Sequence, residues 1–257
     1  MIRIAPRQWA FALCALGFVA AAAAQTTPQA SSAVASTSKA TPEPDYTLAY
    51  NIAGVTDYRY RGISQTRLNP TLQGGIDFNS KLGFYVGAWA SGVKFIRDAG
   101  GDGSVEVDVY GGYKGTVGDF GYDVGVLHYQ YPRNHLDPSA NTTELYVGGS
   151  YQIFNLKYSH SVTNLFGFVD SKNSGYLDAS ATFDVGYGFT VVPHIGHQRV
   201  ANNREFSYTD YSFAVNKNLY GFTLSAALVA TSTSAYRGAS DQNLGRTAVV
   251  VGVKKVF

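Results

Sequence analysis

The stretch VEVDVYGGY, Val105 to Tyr113, alternates with period two. Val105, Val107, Val109 and Tyr113 fall on one face; Glu106, Asp108 and Tyr110 fall on the other. A strand with one apolar and one polar face is the local reading. What decides the fold is recurrence. In Glu144–Ile153, Leu145, Val147, Tyr151 and Ile153 oppose Glu144, Ser150 and Gln152. In Tyr176–Val185, Leu177, Ala179, Ala181, Phe183 and Val185 oppose Asp178, Ser180, Thr182 and Asp184. The closing stretch TAVVVGVKKVF sets Val249, Val251, Val253 and Phe257 against Ala248, Val250, Gly252 and Lys254. Helix-period patterns are nearly absent.

Two kinds of connection separate the strands. The short ones carry a glycine followed by an aromatic: Gly83-Phe84, Gly121-Tyr122, Gly188-Phe189 and Gly221-Phe222, with one further turn near Phe154-Asn155. The long ones are polar and irregular, around Gly62–Pro70, Ile96–Ser104, Pro132–Thr143, Asn164–Ser174, Ala201–Phe206 and Ser234–Gly245. The short turns recur roughly every 35 residues. That is one hairpin of two ~10-residue strands plus a long loop, and ~10 residues is the length of a tilted strand crossing a bilayer.

The amino-terminal end supplies a destination. Arg3 and Arg7 precede the apolar run WAFALCALGFVAAAAA, which ends in Ala22-Ala23-Ala24. This is a secretory signal with cleavage expected after Ala24, giving a signal segment over 1–24. Cys14, the single cysteine, lies within it, so the mature chain has no disulfide and no thiolate metal site. Without Arg3 and Arg7 the 20 Lys+Arg fall to 18, equal to the 18 Asp+Glu, and nothing points to nucleic acid as a partner. Residues 25–45 are rich in Pro, Ser, Thr and Ala without periodicity. They are expected to be a disordered periplasmic linker, because they offer too little apolar surface to offset ordering entropy. The folded part is expected over 46–257.

These features predict an all-β, transmembrane, up-and-down antiparallel barrel of about 12 strands, with short periplasmic turns and longer extracellular loops. Soluble meanders also alternate. The turn asymmetry, the aromatics at strand ends and the aromatic carboxyl-terminal Phe257 favour the membrane version. The expected location is the outer membrane of a Gram-negative bacterium, reached through the cleaved signal. Tyr46, Tyr58, Tyr60, Tyr85, Trp89, Tyr151, Phe189, Phe222 and Phe257 are the expected girdle at the membrane interfaces.

A charge facing lipid near the midplane costs about 2–4 kcal/mol, so charges should point inward. The expected lining is Asp57, Arg59, Arg61, Asp77, Lys94, Glu106, Asp108, Lys114, Glu144, Asp178, Asp184 and Arg199, with Asp123, Asp210 and Arg246 as further inward candidates. Eight strands leave a lumen that side chains fill and sixteen leave a wide channel. About twelve predicts a narrow lumen, constricted by long side chains or by a folded-in loop. Mixed charge argues against strong selectivity by sign. In DYRYRGISQT, Asp57 to Thr66, charges alternate with tyrosines until Gly62. It reads as the outer end of the first strand, with Tyr58 and Tyr60 toward lipid and Asp57, Arg59 and Arg61 inward.

No enzyme is expected. A wall-mounted Ser–His pair must share a face, and His160 between Ser159 and Ser161 does not. His128 and Gln130 share a face without a serine. His194 and His197 diverge on a regular strand. Neither a cofactor nor a metal is expected.

Tyr60-Arg61-Gly62-Ile63-Ser64-Gln65, then Pro70 with Gln73-Gly74-Gly75, then Gly83-Phe84-Tyr85-Val86-Gly87 with Trp89, resemble the TorF family of proteobacterial porin-like barrels. The likeness covers about the first third of the mature barrel. After Trp89 the chain has Ser91-Gly92-Val93 where that family pattern has Ser-Asn-Val. The resemblance implies an outer-membrane barrel with a pore. The expected function is a passive channel for small polar solutes. The partners are outer-membrane lipid, the solute, and the barrel-assembly machinery through the strand ending in Phe257. The alternatives are a non-conducting structural or surface-recognition barrel and a lipid-modifying enzyme.

Overall fold

The computed structural model of the chain describes residues 44–257. The expected signal segment and the linker up to residue 43 lie outside the described residues. We number the barrel strands β1 Tyr46–Val55, β2 Thr71–Ser80, β3 Phe84–Gly92, β4 Val105–Val117, β5 Phe120–Gln130 and β6 Thr142–Tyr151. There follow β7 Phe154–Ser161, β8 Gly175–Ala181 with its continuation Phe183–Gly186, β9 Phe189–Arg199, β10 Tyr208–Leu219, β11 Phe222–Thr231 and β12 Ala248–Val256.

Every strand pairs antiparallel with its neighbours in sequence, and β1 pairs with both β2 and β12. The sheet thus closes on itself as a 12-stranded up-and-down barrel, as the alternation predicted. Closure removes the unpaired edges that an open sheet would leave in lipid. Among the described residues no helix is long and apolar enough to cross a membrane, so the strands do the crossing.

Alternation assigns the faces. Leu48, Ile52, Leu72, Val86, Val109, Val147, Leu156, Phe213, Leu228 and Val251 all stand exposed on the outside. A continuous apolar band of this size would be an aggregation surface in water and is the normal coat of a barrel in lipid. The opposite parity faces inward and is polar on most strands: Gln73, Asp77, Glu106, Asp108, Glu144, Ser159, Asp178, Gln198 and Asp210.

All the short turns lie at one end. They are Lys81–Gly83, Gly118-Asp119, Gln152-Ile153, Tyr187-Gly188 and Tyr220-Gly221. Two sequence assignments shift here. Gly121-Tyr122 lies inside β5 and Phe154-Asn155 opens β7, because the turns fall three and two residues earlier. Lys217 and Lys255 at this end stand 4.2 and 4.7 Å from the rings of Phe189 and Phe222, an amphipathic rim.

The 28 glycines and 19 tyrosines of the sequence are linked. Inward tyrosines lie across glycines of the adjacent strand: Tyr110 on Gly87, Tyr85 on Gly112 and Tyr146 on Gly125, where an added Cβ would stand 2.5 Å from the ring or hydroxyl. Glycine makes room for the ring, and the ring covers the bare backbone. These pairs thicken the β3–β6 wall. The facing β9–β12 wall is thin and apolar, built of Val192, Ala214, Ala227 and Val229.

Candidate functional site: the hairpin across the lumen

β1 does not continue into DYRYRG. It ends at Val55, with Thr56 still bonded to Val251 of β12. The chain then turns into the barrel. Asp57 organises that turn: its carboxylate accepts from Arg59 Nε and Ser64 Oγ at 2.5 Å each and from Thr66 Oγ1 at 3.0 Å. Arg59–Tyr60 and Ile63–Ser64 pair as a miniature hairpin. Its two central residues, Arg61 and Gly62, have φ of 46° and 80°. Two successive left-handed residues are the geometry of a type I′ turn, whose twist suits a tight hairpin. Gly62 is required twice over, because a Cβ there would also lie 2.6 Å from Thr231 and 2.8 Å from Asp210.

This hairpin spans the lumen. Toward β3–β6, the Tyr58 ring meets Trp89 edge-on and its hydroxyl donates to Glu106 at 2.7 Å. Tyr60 shares a hydrogen bond of 2.7 Å with Tyr129 and packs on Phe166. Arg61 donates to Glu144 at 2.6 Å. Toward β8–β11, Arg61 also donates to Gln198 at 2.6 Å and lies 4.2 Å from the Tyr176 ring. Tyr208 donates to the Arg61 carbonyl at 2.9 Å. Arg59 reaches the β11–β12 connection through the carbonyls of Leu244 and Arg246, at 3.2 and 3.0 Å. The segment after the hairpin is tied down by the Arg67–Asp98 ion pair and by Lys94 N–H on the Gln65 carbonyl at 2.7 Å.

The hairpin is buried on both faces. Tyr58 is 1% exposed, and Asp57 and Arg59 are 5% and 6% exposed. Burial is the largest influence on Arg61 and opposes its charge, but Glu144, Tyr60 and Tyr129 acting together hold the guanidinium pKa above its ordinary value. Burial first, and Glu106 second, push the Tyr58 hydroxyl pKa well up, so it remains a proton donor. Three carboxylates, Glu106, Asp108 and Glu144, back this region of the wall. Both oxygens of Asp108 are buried without a donor among the described residues.

The other half of the lumen, toward the short turns, is wetter. Asn51, Asp77, Asn79, Lys114, Asp123, Asn155, Lys157, Ser180 and Lys254 face inward and are partly exposed. Its bonds stay on one wall, each reaching across a single intervening strand: Tyr110 to Asp77 and Tyr85 to Asp123, 2.5 Å each, and Lys114 to Asn79 at 2.7 Å.

The expected site residues therefore divide. Asp77, Glu106, Asp108, Lys114, Glu144 and Asp178 face the interior from the wall. Asp57, Arg59 and Arg61 are also interior, but on the crossing hairpin and not on β1. Two assignments are corrected. Lys94 precedes a short helix, α1 (Phe95–Asp98), in the β3–β4 connection and is not on the wall. Arg199 shares the outer parity of Ile195 and His197, is exposed, and donates to the Asn173 carbonyl. Asp184, paired opposite the inward Thr190, keeps the inward parity at the exposed short-turn rim, where it accepts from the Gly186 N–H.

The girdle assignments divide as well. Tyr46, Tyr151, Phe189, Phe222 and Phe257 are exposed at the short-turn end. Tyr58, Tyr60, Tyr85 and Trp89 are not at a lipid interface. The first two belong to the hairpin, and Tyr85 and Trp89 take the inward parity of β3, 4% and 8% exposed. Sequence reasoning missed the inward Tyr129, Tyr131, Tyr146, Tyr176 and Tyr208. Their signal was available: each occupies the parity opposite a lipid-facing aliphatic such as Val126, Val147 or Leu177.

Among solved structures, one described as "KdgM porin" superposes with a TM-score of 0.54 at 9% identity, over 81% of this chain and 99% of its own. One described as "NanC porin structure in rhombohedral crystal form" superposes with a TM-score of 0.54 at 12% identity, over 80% and 98%. At such identities the likeness concerns the fold. No curated protein matches the sequence. A family does: residues 39–257 match Gcw_chp, described as "Bacterial protein of unknown function", and the chain belongs to that family.

Proposed function

We propose that the protein is a narrow, passive outer-membrane channel for small polar solutes, constricted at its long-loop end by the Asp57–Pro70 segment. One observation carries this reading: a closed transmembrane barrel whose inward parity is polar and of mixed charge, partly open toward the short turns. A barrel that needed only to stand in lipid could fill its interior with apolar side chains, which cost no desolvation. Asp77, Lys114 and Asp178 line the conducting path in this reading, with Asp184 at its short-turn mouth. Tyr46, Tyr151, Phe189, Phe222 and Phe257 form the girdle at the periplasmic interface. The strand ending in Phe257 presents itself to the assembly machinery. The expected signal segment over 1–24 and the TorF resemblance support the location. Mixed charge gives weak preference between cations and anions.

Reconstitution of folded protein into planar bilayers tests the reading. We expect small, discrete conductance steps with a cation-to-anion ratio near one. Folded protein that stays silent, with and without the hairpin, overturns it.

A second reading is favoured by the wall-to-wall contacts of the hairpin: a barrel that is closed at rest. The same recordings separate the two. A silent native protein with a conducting hairpin-deleted variant identifies a closed barrel.

A further inference from the structure

The long loops carry a second polar concavity, outside the lumen. α1, in the β3–β4 connection, and the β5–β6 connection enclose a basin of about 720 Å³ lined by Arg97, Gly101, Asp102, Arg133 and His135. Its floor is locked. The Asp102 N–H donates to the Arg133 carbonyl at 3.2 Å. The Asn134 side chain donates to the Tyr131 carbonyl and to Asn141 at 3.0 and 3.1 Å. Gly101 abuts this floor so closely that a Cβ would stand 2.0 Å from the Asn134 carbonyl oxygen. Ile96, wholly buried, packs beneath.

The backbone beside this floor is strained. Arg133 and His135 adopt φ of 62° and 49°, left-handed conformations that side chains other than glycine rarely take. They flank the buried Asn134, and both stand exposed. Such strain persists where the surroundings over-determine it and clusters at ligand clamps. The charges are free to act outward. Neither Arg97 nor Arg133 has an ion-pair partner among the described residues. The neighbouring Asp98 is taken by Arg67, and Asp102 faces His135 at 3.3 Å. Since Arg67 follows the crossing hairpin, the same ion pair places the basin at the mouth of the barrel.

We propose that Arg97, Arg133 and His135 form a binding site for soluble organic polyanions bearing two or more carboxylate or phosphate groups. Two guanidinium forks suit two oxyanions, each engaged by paired N–H donors. The volume lies within the about 300–1,000 Å³ of small-ligand pockets, so an organic molecule fits better than a bare inorganic ion. The lining offers no apolar wall, which disfavours neutral apolar ligands. Cations at a mouth also raise the local concentration of anions and their rate of arrival.

Citrate is a suitable probe, titrated calorimetrically into the detergent-solubilised full barrel at low ionic strength. Sucrose serves as the neutral control and lipopolysaccharide micelles as the membrane source of the same oxyanion chemistry. We expect saturable citrate binding that weakens with added salt. The double variant R97Q/R133Q should lose about tenfold or more in affinity. Sucrose should give no signal, and any lipopolysaccharide signal should be unchanged in the double variant. Both arginines are exposed, so folding is not at stake; heat-modifiable gel mobility verifies it. Citrate binding that is absent, or undiminished in the double variant, overturns the proposal. So does a site that answers to lipopolysaccharide alone. None of these outcomes depends on whether the lumen conducts.

Discussion

The two halves of the lumen are made from the same residue types and behave differently. Toward the short turns, Asp77, Lys114 and Asp123 meet tyrosine hydroxyls or an asparagine, Lys157 lies over the Tyr146 ring, and all four stay partly wet. Toward the long loops, Asp57, Arg59, Arg61, Glu106 and Glu144 are buried and bonded across the barrel. The difference is the second layer. In the short-turn half a charge on the wall faces water. In the long-loop half it faces another protein segment, which supplies the opposite charge and excludes the water. A wet ion pair contributes about 0–1 kcal/mol. A buried one is costly to break, because either partner left alone remains desolvated. Burial and not composition sets the two halves apart.

The largest expected effect tests whether the hairpin constricts the lumen. Replacing Arg59–Ser64 by a short Gly/Ser linker removes the crossing segment and leaves β1–β12 paired. Bilayer conductance should rise several-fold over the native protein, with the folded gel mobility kept. Unchanged conductance would mean that the constriction lies elsewhere.

Next is Arg61→Ala. It strips Glu144 of its ion pair and leaves that carboxylate with Tyr129 as its remaining donor. Breaking a buried pair costs about 3–5 kcal/mol, so thermal loss of the folded gel band should move to clearly lower temperature. Adding Glu144→Gln should recover part of that loss. Equal losses in the single and double variants would show that the pair is not coupled.

Gly62→Ala sharpens the same point by geometry. The left-handed φ and the approach to Thr231 and Asp210 together cost about 1–3 kcal/mol. The hairpin tip should detach before the barrel unfolds. Faster protease nicking within residues 56–70, at an unchanged melting point, is the expected readout.

The barrel was legible because one physical rule governs most of it: the side facing lipid must be apolar and the other need not be. Val105–Val117 and Ala248–Val256 obey it without exception until the short-turn rim. The hairpin was not legible, because Asp57–Arg61 prolongs the same alternation after the strand has ended. Tyrosine and arginine suit either a lipid interface or a buried polar contact, so neither decides the face. What the stretch lacks is an aliphatic residue, and its absence from Thr56 through Gly62 was the available sign that no lipid face exists there. Tyr85 and Trp89 were misassigned for a different reason. Aromatics near strand ends suggest a girdle, but parity decides, and Phe84 and Val86 already occupy the outward face. Arg199 failed in the opposite way: inward placement followed from its charge, while its parity with Ile195 put it outside. There it sits beyond the apolar band, near the long loops, where an outward charge costs little.

The smallest expected effect sharpens the comparison from the wet side. Lys114→Gln removes a partly exposed cation that donates to Asn79, in a region where water can replace the lost contact. Stability should change by no more than about 0.5 kcal/mol, as for surface substitutions generally. The ion preference should nonetheless move. With one positive charge fewer along the path, the reversal potential in a salt gradient should shift toward cations, by a few millivolts at low salt and less at high salt. Arg61→Ala should show the converse pattern, a large stability loss with little change in preference, because its charge already belongs to Glu144. If Lys114→Gln instead lowers the melting temperature as far as Arg61→Ala does, the two halves are not distinct, and the short-turn half is as closed as the other.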